Sequence, residues 1–383
     1  MWIRRRKVAN EKLTQKAKDH VQQAGDNSQQ IQASTVIINN GINEIQAREL
    51  YSEMSKKAMQ EYTAESHLLI EKRIADFANV LIPRIEKIEN GFESFADPEF
   101  QLELRKAQVS SACTDKEADY EMLSELLLHR IENKDSRRVK ASISKAVEIV
   151  DKIDDESLTA LTVVYSVLKL LPLSGSIKSG FETMDMLLNS VANTELPNDY
   201  NWISYLDILD VLRPTSFGKF KKLSEYYFET LTGYTAVGIH KDSANYQKAK
   251  EILAGANMNI GVLIDHELLD GYVRLPIPEK GNYQGMSLVK IVPNTNVFVP
   301  IKVEKRETEV LDKIWELYSN VTDKKDNLKT NFINLWNQFN NLKKIETWWN
   351  SLPSSFNLTP IGYVLAHANA QRLNKDVPKF QGC

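Results

Sequence analysis

Glycine and proline are scarce in this 383-residue chain, which holds 15 Gly and 12 Pro, 27 residues in all. That is about 7% of the chain, where average usage gives ~12%. Glycine interrupts regular backbone through its entropy, and proline through its missing N–H. A chain short of both is biased towards long helices and away from collagen-like, low-complexity and many-stranded β architectures. The shortage is uneven, because ten of the 27 fall within residues 234–303. A different kind of structure is expected there. The fold class that follows is mainly α: a long-helix N-terminal region and a helical core, a small α+β module, and a C-terminal coiled-coil or helical-hairpin segment. The expected layout is a basic tail at 1–21, a short β-strand/turn oligomerisation element at 22–41 and a long helix at 42–92. A helical domain at 93–232, the α+β module at 233–305 and a C-terminal helical region at 306–383 complete it.

Local patterns support this order. Gly25-Asp26-Asn27-Ser28 is a turn signature, since these residues tolerate positive φ or bond their own backbone. Ile31 and Ala33, then Val36 and Ile38, alternate with polar residues. So thin a strand pair must add to the rest of the chain or to copies of itself, which makes Ile31, Val36 and Ile38 oligomerisation candidates. From Asn43 the pattern turns helical, and Ile70, Ile74, Phe77, Leu81, Ile85 and Ile88 recur at spacings of 4, 3, 4, 4 and 3. That is one stripe along a helix, with Pro83 expected to kink it. Asn90-Gly91 signals an end, and Asp97-Pro98 a new start. Between 234 and 303, residues 272–275, 287–292 and 297–299 look like short strands, with a helix at 244–253.

From Leu311 a heptad-like order returns: Leu311, Ile314, Tyr318, Val321, Lys325, Leu328, Phe332, Leu335, Phe339, Leu342, Glu346 and Trp349, ten of the twelve apolar. A long self-associating coiled coil would use Leu328, Phe332, Leu335, Phe339 and Leu342 along its seam. A hairpin turning at 322–327 and packed on the protein's own core fits the same spacing. Thr359-Pro360 opens a last helix running to about Arg372, with Thr as N-cap and Pro at the first helical position. That helix carries Asn369, Gln371 and Arg372, residue types that read base edges. Its surroundings are not basic, so packing is the better expectation for it.

Charge is close to balanced, 48 Lys+Arg against 51 Asp+Glu, for a formal net charge of -3. Residues 1–18 hold seven Lys+Arg against Glu11 alone, a local +6 that leaves -9 for the remainder. Arg4, Arg5, Arg6 and Lys7 are therefore candidates for contact with phosphate, the alternative being a solvated terminus. No aromatic follows Trp2 in that tail to stack on a base, so nucleic acid is a possible but not favoured partner. No apolar core of ~7–15 residues follows the basic start, and the most apolar stretch, 158–173, is broken by Lys169 and Pro172. A protein without a membrane span, in the cytoplasm, is expected. Two cysteines, Cys113 and Cys383, do not make a disulfide scaffold.

Few residues form a recognisable chemical constellation. The six histidines lie far apart, and neither His-Glu-x-x-His nor Cys-x-x-Cys occurs, so no local metal site and no cofactor is expected. Gly175 and Gly180 have the spacing of a phosphate loop, but Phe181 and Glu182 replace its Lys and Ser/Thr. A helix–helix turn is expected instead. Asp265-His266-Glu267 is the densest acid/base cluster, and His240 ends a second short apolar run. If the two runs were adjacent strands, Asp265, Glu267 and His240 could form a metal-dependent nuclease or hydrolase site.

Several patches resemble an uncharacterised bacterial family. They are Ala24-Gly25-Asp26-Asn27-Ser28 with Ile31-Gln32-Ala33, Phe95-Ala96-Asp97-Pro98-Glu99-Phe100-Gln101 and Leu158-Thr159-Ala160-Leu161-Thr162. Leu358-Thr359-Pro360-Ile361-Gly362 with Ala366-His367-Ala368-Asn369 and Arg372 closes the series. Proteins of this kind tend to lie beside phage-defence genes in mobile islands. The resemblance implies a defence-linked role and transfers no catalytic residue. The leading expectation is a non-enzymatic, self-associating sensor or scaffold in antiphage defence, with a defence-system protein or a phage protein as partner. Nucleic-acid binding through the basic tail and the metal-dependent hydrolase stand behind it.

Overall fold

The computed structural model describes residues 42–380, apart from 60–65, 134, 173, 217, 284, 285, 287 and 292–297. Arg4, Arg5, Arg6, Lys7, Ile31, Val36 and Ile38 lie outside the described residues. The stretch expected as one long helix over 42–92 contains two, α1 (Glu44–Met59) and α2 (His67–Glu86). Burial explains the arrangement. The apolar stripe Ile70, Ile74, Phe77, Leu81 and Ile85 is buried, and α1 covers part of it, the Tyr51 hydroxyl donating to the Ile74 carbonyl at 2.8 Å. Pro83 sits in the last turn of α2, and Asn90 turns the chain in the left-handed conformation at φ 56°. Asp97 caps α3 (Pro98–Cys113) by accepting from the Glu99 amide at 3.0 Å, with Pro98 where its missing N–H leaves no bond unmade.

The helical core continues through α4 (Glu117–Glu132), α5 (Arg137–Val147), α6 (Asp155–Lys169), α7 (Ile177–Val191) and α8 (Asn201–Ile208). Strand β1 (Leu212–Pro214), α9 (Leu223–Thr230) and α10 (Thr232–Thr235) lead into the α+β module. There β2 (Ile239–His240), α11 (Ala244–Gly255), β3 (Ile264–Asp265) and β4 (Tyr272–Arg274) are followed by the antiparallel hairpin β5 (Leu288–Ile291) and β6 (Phe298–Ile301). Strands β2 and β3 both pair antiparallel with β4, giving the order β2-β4-β3. The module has its own apolar core, in which Ile239, Leu253, Val273, Leu275 and Leu288 meet Leu311 and Ile314 of α12 (Lys305–Glu316).

The heptad-like region is neither one continuous helix nor a hairpin turning at 322–327. It is three helices, α12, α13 (Thr322–Trp336) and α14 (Asn340–Ser351), interrupted at 317–321 and 337–339. Leu328, Phe332 and Leu342 are fully buried in the main helical core, with Leu335 and Phe339 packed against it. Phe181 of α7 meets the rings of Phe332, Trp336 and Phe339 edge-on at 5.0, 5.5 and 5.9 Å. A 3–4 spacing records that one face is buried and says nothing of what covers it.

Strand β7 (Phe356–Leu358) pairs with β1, and α15 (Pro360–Leu373) ends the fold, capped by Thr359. Helix α15 packs against α4, α5 and α6 and is buried continuously from Val364 to Ala370. Gly362 allows its close approach to β1, because a Cβ there would stand 2.1 Å from the Val211 carbonyl oxygen. Among the described residues no helix is long and apolar enough to cross a membrane. Gly362→Ala should lower stability by about 1–3 kcal/mol through overpacking, read as a reduced urea midpoint. Gly255→Ala, at a glycine with open space around it, should be neutral or stabilising by up to about 1 kcal/mol.

Candidate functional site

The three candidate catalytic residues belong to one region but do not converge. Register places His240 opposite Tyr272 and Asp265 opposite Val273, so the two apolar runs flank β4 instead of pairing with each other. The Asp265 side chain is 80% exposed and pairs with Lys241 at 2.7 Å. His240 lies edge-on to Tyr272 at 4.9 Å, and its Nδ1 accepts from the Asp242 amide at 3.2 Å. Among the described residues no group of three or more His, Cys, Asp and Glu could hold a metal ion.

Glu267 is engaged elsewhere. The Gly175–Gly180 segment opens α7, and the free N–H groups of a first helical turn attract an anion. That anion comes from the protein itself. Glu267 Oε1 accepts from the Ser176 hydroxyl and Oε2 from the Ile177 amide, each at 2.7 Å. Oε2 also accepts from Arg274 at 2.8 Å. Arg274 is 0% exposed, donates to the Gly175 carbonyl at 2.7 Å and the Leu275 carbonyl at 3.0 Å, and lies 5.4 Å above the Tyr234 ring. The Tyr234 hydroxyl donates to the Ser174 carbonyl at 2.6 Å. Burial pushes the Glu267 carboxyl up, but the bonds from Ser176, Ile177 and Arg274 together outweigh it and hold it below the usual carboxylate range. A carboxylate so stabilised is a poor base. It clamps the β3–β4 end of the module to the start of α7.

His266 is fixed as well. Its Nε2 bonds the Ala236 carbonyl at 2.9 Å, so Nε2 carries the proton, and Nδ1 accepts from the Leu268 amide at 3.1 Å. Burial lowers its pKa from 6.5 to about 4.

A second polar cluster joins α4 and α15. The rings of His129 and His367 lie 4.8 Å apart, and Phe380 stacks on His129 at 5.2 Å. His129 Nε2 meets the Gln371 side-chain oxygen at 2.9 Å and His367 Nε2 the Pro378 carbonyl at 2.8 Å. Both Nδ1 atoms are buried without a partner, and burial takes both pKa values from 6.5 to about 4. Asn369 donates to the Thr162 hydroxyl at 2.8 Å, and Arg372 to Asn369 at 2.8 Å and to Glu121 at 3.3 Å. Arg130 on α4 reaches Glu99 at 3.0 Å. The patches at 95–101, 158–162 and 358–372 thus meet in space across α3, α4, α6 and α15. Asn369, Gln371 and Arg372 are bonded within the core instead of being presented to a groove.

A protein-family model described as ":-like" matches residues 41–381, and the chain belongs to that family. No curated protein and no solved structure matches the chain.

Arg274 escaped sequence reasoning, although one signal was present: a single arginine inside the apolar run Tyr272-Val273-Arg274-Leu275-Pro276-Ile277 needs a buried counter-charge. Ser176 carries no signal of its own in the sequence beyond its place in the Gly175–Gly180 turn. The three buried histidines generate a pH prediction. The unfolded chain takes up their protons near pH 6.5 and the folded chain near 4. Stability is therefore full above about pH 6.5, falls as pH drops from 6.5 towards 4, and levels off below. Each histidine accounts for a loss on the order of 3 kcal/mol across that window. Urea titrations between pH 7.5 and 4.5 should show this fall, and a flat profile would contradict it.

Proposed function

We propose that the protein is a non-enzymatic, self-associating sensor or scaffold in bacterial antiphage defence. The observation that carries this reading is the use made of the acid/base cluster. Glu267 is held in bonds that join the α+β module to the start of α7, and both it and His266 are tied down within the module, by Arg274 and the Ala236 carbonyl. Such a clamp couples the two cores mechanically, so a contact on one can bias the other. The defence setting rests on the family resemblance. Self-association would not use Leu328, Phe332 and Leu342, which the chain's own core occupies. Exposed apolar side chains on the first three helices, Ile45, Leu68, Leu69 and Leu102, are better suited to it.

Phage plating on cells with and without the gene tests the role directly. The expected result is reduced plating that survives the double substitution H240A/D265A. Unchanged plating, or protection lost in a folded H240A/D265A variant, would overturn the proposal, the second outcome in favour of the hydrolase. Light scattering of the full chain at micromolar concentration should give a mass above the 43.7 kDa of one chain. A strict monomer would remove the self-association. Nucleic-acid binding through Arg4, Arg5, Arg6 and Lys7 would instead appear as an affinity falling steeply with salt.

A further inference from the structure

Beyond α15 the chain turns back over the fold. Residues 374–380 form neither helix nor strand, yet Val377 and Phe380 are buried. Asn374 starts the reversal, its amide donating to the Ala370 carbonyl at 2.8 Å and its side chain to Ser190 of α7 at 3.1 Å. The segment then meets one stripe of α4. Lys375 pairs with Glu125 at 2.5 Å, Phe380 stacks on His129 at 5.2 Å, and Lys379 pairs with Glu132 at 2.6 Å. Spacings of four and three put Glu125, His129 and Glu132 on the same side of that helix. Both lysines are largely exposed, and such surface pairs contribute little. What holds the segment is the seating of Val377 and Phe380, with the bond from His367 Nε2 to the Pro378 carbonyl.

That seat suits neutral histidines. His129 Nε2 faces the Gln371 side-chain oxygen and His367 Nε2 the Pro378 carbonyl, so each Nε2 carries the proton. Each Nδ1 is therefore a bare lone pair, buried with no donor to meet it. A proton added there creates a charge and a new N–H, both without a partner, on two rings 4.8 Å apart. A buried charge without a partner is costly, and two of them repel. Glu125 and Glu132 favour the charged form of His367, but each is engaged by a lysine of the segment, and Glu125 by Arg84 as well. Tyr165 of α6 meets His367 edge-on at 5.8 Å, and Arg130, beside His129 on α4, is paired with Glu99. Burial outweighs the carboxylates and keeps both imidazoles neutral down to about pH 4. Phe380 covers both rings, stacked on one and edge-on to the other at 5.0 Å. Lifting it would give them back to water and to their ordinary basicity.

We infer that residues 374–380 are a proton-sensitive strap, seated on α4 and α15 while His129 and His367 are neutral and lifted when they take up protons, with the helices still folded. The seated form binds these protons near pH 4 and the lifted form near 6.5. Falling pH therefore favours lifting, by up to about 300-fold per histidine across that window. Few bonds hold the strap, so it opens at a lower cost than the core. Its release is the first, local part of the loss of stability expected over the same range. Lifting uncovers the histidine rings and the apolar seat of Val377 and Phe380, a face hidden at neutral pH. The inference does not depend on the role in defence.

The test uses the full chain carrying C113S, which removes the exposed cysteine, and a rhodamine dye on Cys383, three residues beyond Phe380. Dye anisotropy reports the strap, and far-ultraviolet circular dichroism reports the helices. Anisotropy should fall between pH 6.5 and 4 while the helical signal holds. H129Q/H367Q keeps a donor on each side chain and removes the titration, so the fall should vanish. F380A loosens the seat without replacing either histidine and should move the fall to higher pH. Anisotropy that stays flat in the parent chain, or falls only together with the helical signal, would overturn the inference. So would a fall that F380A leaves unmoved, or one that a folded H129Q/H367Q variant retains.

Discussion

A fully buried guanidinium has to find its counter-charge within the protein, and in this chain that requirement ties two cores together. Arg274 ends β4 of the α+β module with no exposed surface. An unpaired charge in such a place would cost several kcal/mol. Its partners are Glu267 just after β3, the Gly175 carbonyl before α7 and the ring of Tyr234 in α10. They come from both sides of the junction between the module and the helical core. An apolar pair of similar volume could stabilise that junction as well. What the charged set adds is register, because each of these bonds is satisfied only when β3, β4 and the start of α7 meet in one alignment. Gly175 reinforces it, since a Cβ there would stand 2.5 Å from the Cβ of Pro276.

The clamp also explains two features that look separate in the sequence. The phosphate-loop spacing at 175–180 and the acid/base cluster at 265–267 meet in the fold, where the second fills the anion site of the first. Neither feature alone reveals this, because the contact spans about ninety residues. Helical content, the stripe on α2, the caps at Asp97 and Thr359 and a strand-bearing module were legible, since each depends on residues within a turn or two. The heptad-like order was legible only as burial. Whether Leu328 and Phe332 face a second copy or Phe181 is decided by tertiary packing, which local spacing does not encode. The same holds for the continuity of 42–92. Its apolar stripe was read correctly, while the division into α1 and α2 follows from how Tyr51 and Ile74 meet.

The polar residues of α15 follow a similar logic. Asn369, Gln371 and Arg372 are residue types that read base edges, but packing is the better expectation for their helix, and packing is what the structure shows. They are bonded to Thr162, His129 and Glu121, joining distant segments into one network. A polar residue on a helix that is buried all round must find a partner inside. The patches that carry the family resemblance are thus largely the ones that specify the α3–α4–α6–α15 packing.

The clamp between Glu267 and Arg274 is tested most directly by a double-mutant cycle on the full chain, with E267Q, R274M and their combination compared in urea. The expected result is a coupling energy of about 2 kcal/mol, with either single substitution strongly destabilising and the second adding little. A coupling energy near zero, with the two effects adding independently, would contradict the clamp and return Glu267 to the pool of free carboxylates.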